Sequence, residues 1–213
     1  MRVIKLGDVV DVFSGQVMSR VIADPLKVTN DYITTISVRV IMPKAITAEG
    51  LINEADLIEE DIKVKDINNH SNKMDIESTS SVDKKYFTKV NDIVVKLSAP
   101  FDSATITKET QGCVVPSFCA IIRNRDLVNL DYLQAFLNSR LCKDQLKSKV
   151  SGSVNTILTI GKIKDIEIPI PDNVQQIEIG NRYRETQNKI SILNEIVKLE
   201  VKRNDIQFIN MVK

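Results

Sequence analysis

Hydrophobic positions along this chain change period several times, and each change predicts an element. Ile36, Val38, Val40 and Met42 alternate with Ser37, Arg39 and Ile41, the period of two that a half-buried strand shows. Ile93–Leu97 is a β-branched run opened by the turn pair Asn91-Asp92 and closed before Pro100, and reads as another strand. "GCVVPSFCAIIR" holds two apolar runs divided by Pro116. Proline donates nothing to a ladder, so it marks an edge or a bend there. Ile163, Ile166, Ile168 and Ile170 stand among Lys164, Asp165, Glu167 and Pro169, predicting a strand over Ile163–Ile168 that "PIP" stops.

Helical spacing occurs in three places. Leu6, Val9, Val10 and Phe13 open the chain with a short helical pattern ending at Ser14-Gly15. Leu133, Phe136, Leu137 and Leu141 fall at i, i+3, i+4 and i+8 and predict a helix over Asp131–Lys149, with Asn129 or Asp131 as cap and Gly152 as terminator. From Asn173 to Val212 there is one glycine and no proline, so a continuous helix of about 60 Å is expected. One seam on it is Tyr183, Thr186, Ile190, Leu193 and Val197; beside it run Ile192, Ile196, Leu199, Ile206 and Ile209. A stripe that wide needs burial, against another helix or against the body of its own chain. The pattern as a whole gives an α/β (α+β) fold. A body over residues 1–171 has a mixed, curved sheet of Ile36–Met42, Ile93–Leu97, Val114–Ile122 and Ile163–Ile168 with flanking helices. A long coiled-coil helix follows over residues 172–213.

Composition adds little to this. The 213 residues are 43% hydrophobic and 27% charged, ordinary for a globular protein. No apolar run nears the roughly 18 residues of a membrane span, the N-terminus lacks a signal-peptide core, and three cysteines form no even framework. A reduced, cytoplasmic setting is expected. The net charge of +1 is uneven: Ser139 to Lys164 carries six lysines and arginines against one acid, whereas Glu49 to Asp66 carries seven acids against two lysines. The basic segment suits a phosphate-binding strip. It equally suits a solvated helix whose C-terminal lysines complement the macrodipole.

Catalytic chemistry is hard to place. The one histidine, His70, sits in polar "NNHSN", which leaves no histidine-based triad or metal set. No phosphate-binding loop, dinucleotide fingerprint or Asn/Asp-Pro-Pro-aromatic tetrapeptide is present. Pro171-Asp172 with Glu200-Val201-Lys202 fits a loose nuclease pattern by chance: Glu200 and Lys202 lie about 200° apart on a helix, and Asp172 about 40 Å away along it. No catalytic residue, metal or cofactor is expected.

The ordered set "IKLGDVVDVFSGQ", "VNDIVVKLSAPFDSATI", "GCVVPSFCAIIR", "LDYLQAFLNSRLCKDQLKSKVSGSV" and "LTIGKIKDIEIPIPDNVQQIEIGNRYRETQNKISILNEIV" resembles the DNA-specificity subunit of type I restriction-modification systems. The resemblance covers the whole chain as one target-recognition domain and one long helix. Its most specific part is the run from Gly152-Ser153 through "IPIP" to Gln175-Gln176. Two departures are "PD" where the family has "PP" before the helix, and the acidic stretch 49–66, which matches nothing placed.

The family usually joins two such units in one chain, so the resemblance implies a half-subunit. It also implies a non-enzymatic role: bringing a bipartite double-stranded DNA target to a DNA adenine methyltransferase subunit and, where one is present, to a restriction subunit. Candidate DNA contacts are Ser14, Gln16, Arg20, Lys96, Ser98, Lys147, Lys149, Ser151, Ser153, Asn155 and Thr156, polar residues beside turns or lysines within reach of phosphates. Tyr183, Ile190, Leu193, Ile196, Val197 and Leu199 are the expected surface for a homodimer and for partner docking. The rival reading is a coiled-coil adaptor with a β-rich ligand-binding domain and no DNA role.

Overall fold

The run Ile93-Val94-Val95 is apolar at every position because its strand is buried on both faces. This strand, β5 (Asp92–Lys96), is central in a four-stranded sheet with β2 (Val10–Ser14), β6 (Ser103–Thr105) and β7 (Cys119–Asn124), in the order β2-β7-β5-β6. The computed structural model describes residues 2–22, 35–63, 82–150 and 157–212. Every ladder in the sheet is antiparallel. Ile93, Val95, Ala120 and Ile122 face a core shared with Leu133, Phe136, Leu137 and Leu146. Val94, Ala104 and Ile121 face a second core with Ile41, Ile46 and Val115. Alternate side chains of one strand thus serve different layers.

The expected strands are divided among three sheets rather than one. β3 (Thr35–Val40) pairs with β4 (Ile58–Lys63), whose inward Ile62 is fully buried while Glu59 and Asp61 remain exposed. β1 (Arg2–Lys5) pairs with β8 (Glu167–Ile170). Among the described residues, parallel pairing occurs in two isolated bridges, Gln16 with Pro116 and Val40 with Val114. The fold class is the expected one: sheets with flanking helices and a long C-terminal helix.

Three sequence-based boundaries need correction. The opening segment is no α-helix but β1, a 3-10 turn at Leu6–Asp8, and β2. Leu6, Val9, Val10 and Val12 are all buried, and a tight turn between two strands mimics helical spacing. The segment at 163–168 is no strand. It begins as a short helix, α3 (Ile160–Lys164), whose cap Thr159 accepts from Lys162 N, and β8 starts only at Glu167. Ile163, Ile166 and Ile168 reach the same core from a helix, a turn and a strand in succession. The predicted helix Asp131–Lys149 is in fact two, α1 (Leu130–Asn138) and α2 (Arg140–Val150). Ser139 breaks them with extended backbone, and its Oγ accepts from Cys142 N at 3.2 Å as the cap of α2. The break turns Cys142 and Leu146 inward and leaves Leu141 exposed.

The last helix, α4 (Asn173–Met211), is continuous and capped by Asp172, whose Oδ1 accepts from Gln175 N at 2.9 Å. Its buried positions are Gln176, Gly180 and Gln187, with Tyr183 half-buried between them. Steps of four, three and four keep these residues on one face. The face is polar or small, so hydrogen bonds rather than apolar packing hold the helix to the body. Gln176 Oε1 accepts from Asn129 N at 2.9 Å, and Tyr183 Oη accepts from Asn138 Nδ2 at 2.7 Å. Past Ile190 every described residue of α4 is exposed. The exposed set includes Leu193, Ile196, Val197, Leu199, Phe208 and Met211.

Candidate nucleic-acid interface

Strands β2 and β5 run in the same sense on either side of antiparallel β7, so their C-terminal ends emerge together at one end of the sheet. Four loops meet there. Gln16 N donates to Val115 O at 2.7 Å and Ser117 N to Gln16 O at 2.8 Å, which locks the segment after β2 to the Pro116 turn. Leu97 N donates to Phe118 O at 3.0 Å, and Leu158 N to Leu97 O at 2.7 Å. The loop after β5 is therefore clamped between that turn and the chain following residue 156. Gly15 makes the approach possible, because a Cβ on it would lie 2.0 Å from Pro116 O.

These contacts place Ser14, Gln16 and Ser98 on one surface, with Ser14 and Ser98 exposed and Gln16 half-buried. Arg20 is exposed in the short 3-10 turn that follows. Ser151, Ser153, Asn155 and Thr156, like His70, lie outside the described residues; the segment holding the first four leads directly into Leu158. Phe118, which sequence reasoning passed over as part of an apolar run, is 57% exposed at this sheet end. Its signal was the preceding Pro116-Ser117, which turns the chain before β7 begins.

The lysines divide into different roles. Lys96 Nζ lies 2.9 Å and Lys143 Nζ 2.6 Å from the two carboxylate oxygens of Asp102, which is 2% exposed. Burial pushes the Asp102 carboxyl up, but the hydrogen bonds and charges of Lys143 and Lys96 outweigh it and hold the group below its usual range. Lys96 is thus a strut between the loop after β5 and α2. Lys162 Nζ donates to Lys149 O at 2.6 Å, so it is Lys162 that satisfies a terminal carbonyl of α2. Lys147 is exposed and Lys149 half-exposed on the last turn of α2, adjacent in sequence to the segment 151–156.

The thiols of Cys119 and Cys142 are buried and pushed up to about 12, which makes them core residues. No group of three or more potential metal ligands occurs among the described residues. No helix among the described residues is long and apolar enough to cross a membrane.

Of the helix residues expected at an assembly surface, Tyr183 is turned toward its own domain and Ile190 is half-buried. Leu193, Ile196, Val197 and Leu199 are exposed.

The described residues thus combine a multi-sheet α/β body, polar loops gathered at one sheet end and a helix reaching past the body. Residues 1–203 match the type I restriction modification DNA specificity domain; the chain belongs to that family. Among solved structures it is similar to the HsdS subunit from Thermoanaerobacter tengcongensis, with 16% identity, a TM-score of 0.54, and coverage of 92% of this chain and 39% of that one. A chain in a structure of the complex assembly of a type I R-M system gives 17% identity, a TM-score of 0.55, and coverage of 95% and 43%. The type I S subunit from M. genitalium gives 12%, 0.51, 95% and 43%. The chain therefore spans about two fifths of the length of these structures. Among curated proteins none matches it.

Proposed function

We propose that the chain is a non-catalytic, sequence-specific DNA-binding half-subunit of a type I restriction-modification system. Residues 1–171 serve as the target-recognition domain, and residues 172–213 form the helix for dimerisation and methyltransferase docking. It acts in the cytoplasm with a DNA adenine methyltransferase subunit and, where one is present, a restriction subunit. The observation that carries this reading is the convergence of the segments after β2 and β5, the Pro116–Phe118 turn and the chain at 157–158 on one sheet end. Loops on a rigid scaffold are where base-reading side chains are held.

One recognition domain reads one half of a bipartite target. Two copies with antiparallel α4 helices place their recognition domains at opposite ends of the pair and read inverted half-sites across a spacer. Leu193 and Val197 face the partner helix, while polar positions such as Arg182, Arg184, Glu185 and Lys189 remain for the methyltransferase.

Two measurements test this. Duplex binding by the complex with the methyltransferase subunit should weaken steeply with salt and select one bipartite sequence. Binding indifferent to sequence and salt would leave the adaptor reading in its place. In sedimentation, the parent should run as a dimer at tens of micromolar and Leu193→Asp as a monomer.

A further inference from the structure

Phe118 is carried at the sheet end by a turn that cannot fold it away. Ser117 and Phe118 are the two central residues of this turn, which Cys119 N closes by donating to Pro116 O at 2.9 Å. Both flanks are tied. Ser117 N donates to Gln16 O at 2.8 Å on the β2 side, and Phe118 O accepts from Leu97 N at 3.0 Å on the β5 side. Cys119, the next residue, is fully buried and begins β7. The chain therefore holds Phe118 57% exposed at a fixed place, although an exposed aromatic ring forgoes the large gain of burial. Ser14, Gln16, Ser98 and Ser117, which belong to the same segments, hydrogen-bond and carry no charge. Lys96 in the loop after β5 is engaged with Asp102.

The width of this end selects a groove of the duplex. β2 and β5 lie on either side of β7, two strand spacings or about 10 Å apart between backbones. That exceeds the roughly 6 Å of the minor groove and suits the roughly 12 Å of the major groove. Polar side chains there can match the donors and acceptors of any base pair. An aromatic ring among them finds one apolar counterpart on the base edges, the C5-methyl group of thymine. A phosphate contact needs a donor, which the ring lacks. Wedging an apolar side chain between base steps is a minor-groove device, for which this end is too broad.

We propose that Phe118 is a specificity-determining residue that reads a thymine by packing on its methyl group in the major groove. The proposal rests on the reading of this sheet end as the DNA-contacting surface, and it names one base that the surface requires: a thymine, on either strand, in the half-site that this domain reads. Uracil keeps every hydrogen-bonding group of thymine and lacks only the methyl. Exchanging one for the other therefore isolates the contact from those that the serines and Gln16 make. Burial of one such carbon is worth about fourfold in affinity.

A uracil scan tests this. The full chain in complex with the methyltransferase subunit first selects a duplex from a random-sequence pool. Each thymine of the selected duplex is then replaced by uracil, one at a time. Affinities are measured for the parent, Phe118→Ala and Phe118→Leu. At one thymine of the half-site the replacement should weaken parental binding about fourfold and leave binding by Phe118→Ala unchanged. Phe118→Leu, which keeps an apolar side chain, should retain part of the preference. If no uracil matters, or if Phe118→Ala keeps the parent's sensitivity, the methyl contact is overturned and the DNA-specificity reading stands. A selected half-site without thymine has the same consequence. A pool that yields no preferred sequence overturns that reading and the contact together.

Discussion

Gln187 Nε2 lies 3.1 Å from the carbonyl oxygen of Gly50 and 3.0 Å from that of Glu49, so the side chain of a residue midway along α4 fastens the helix to the loop after β3. The same nitrogen donates to Tyr183 Oη at 3.0 Å, and Gly50 O also accepts from Gln134 Nε2 at 2.7 Å. This polar latch marks where the body's hold on α4 ends. Gln187→Ala should cost about 1 kcal/mol in urea unfolding, the worth of a net hydrogen bond, because Gly50 O keeps Gln134. Amide exchange should rise locally from about Tyr183 to Ile190 while α1 stays protected.

Gly180 makes a tighter demand. A Cβ there would come within 2.8 Å of Asn129 Oδ1 and Asp131 Cβ and 3.0 Å of Tyr132 N, all at the capped start of α1. Gly180→Leu should therefore destabilise by about 1–3 kcal/mol through overpacking, less the roughly 1 kcal/mol of helix propensity gained over glycine. A midpoint shift in urea with an unchanged m-value would report it.

The fold was legible where one physical cause acts on a whole segment. Ile36 to Val40 alternates because one side faces a core, and Ile93 to Val95 is continuous because both sides do. It was illegible where several elements feed one core in turn: Ile163, Ile166 and Ile168 look like a strand and belong to three different conformations. Leu141 fitted the helical spacing, but the Ser139 break is invisible to periodicity. On α4 the apolar stripe was plain, yet the face that docks on the body is Gln176, Gly180, Tyr183 and Gln187, which no hydrophobic pattern selects. The candidate interface could be assembled only from topology, since Gln16, Ser98 and Phe118 are far apart in sequence and meet through the pairing of β2, β7 and β5. Lys96 shows the same limit: a lysine at a strand end suggests phosphate, and the fold pairs it with Asp102.

That pairing predicts an acid limb. Asp102 has a lowered pKa when folded, so it adds stability that is fully present above the ordinary aspartate value of about 3.9. The contribution is lost as pH falls through the lower folded value. Asp102→Asn removes the carboxylate that Lys96 and Lys143 share and leaves two partly buried ammonium groups facing each other. The variant should lose about 2–3 kcal/mol at pH 7, toward the low end for a broken buried pair because the lysines keep some solvent. The difference from the parent should shrink as pH falls below the ordinary aspartate value of about 3.9 and through the lower folded value, as paired pH titrations of stability will show.

The proposed DNA contacts separate by how they depend on sequence and salt. Lys147 and Lys149, on the last turn of α2, carry charge without base information. Lys147→Glu with Lys149→Glu should weaken binding of the methyltransferase complex to every duplex alike. The plot of log K against log salt should flatten by about 1 for each phosphate no longer neutralised. Asn155 has the amide chemistry to read an adenine edge, so Asn155→Ala should cost about 1–3 kcal/mol against the cognate sequence at one base position and little against others. Lys96→Ala, by contrast, should lower the melting temperature before it touches affinity, because its ammonium is spent on Asp102. Titrations of cognate and single-substituted duplexes at several salt concentrations distinguish the three. If the Lys147/Lys149 double variant bound with parental affinity and slope, the basic end of α2 would be left with a structural role alone.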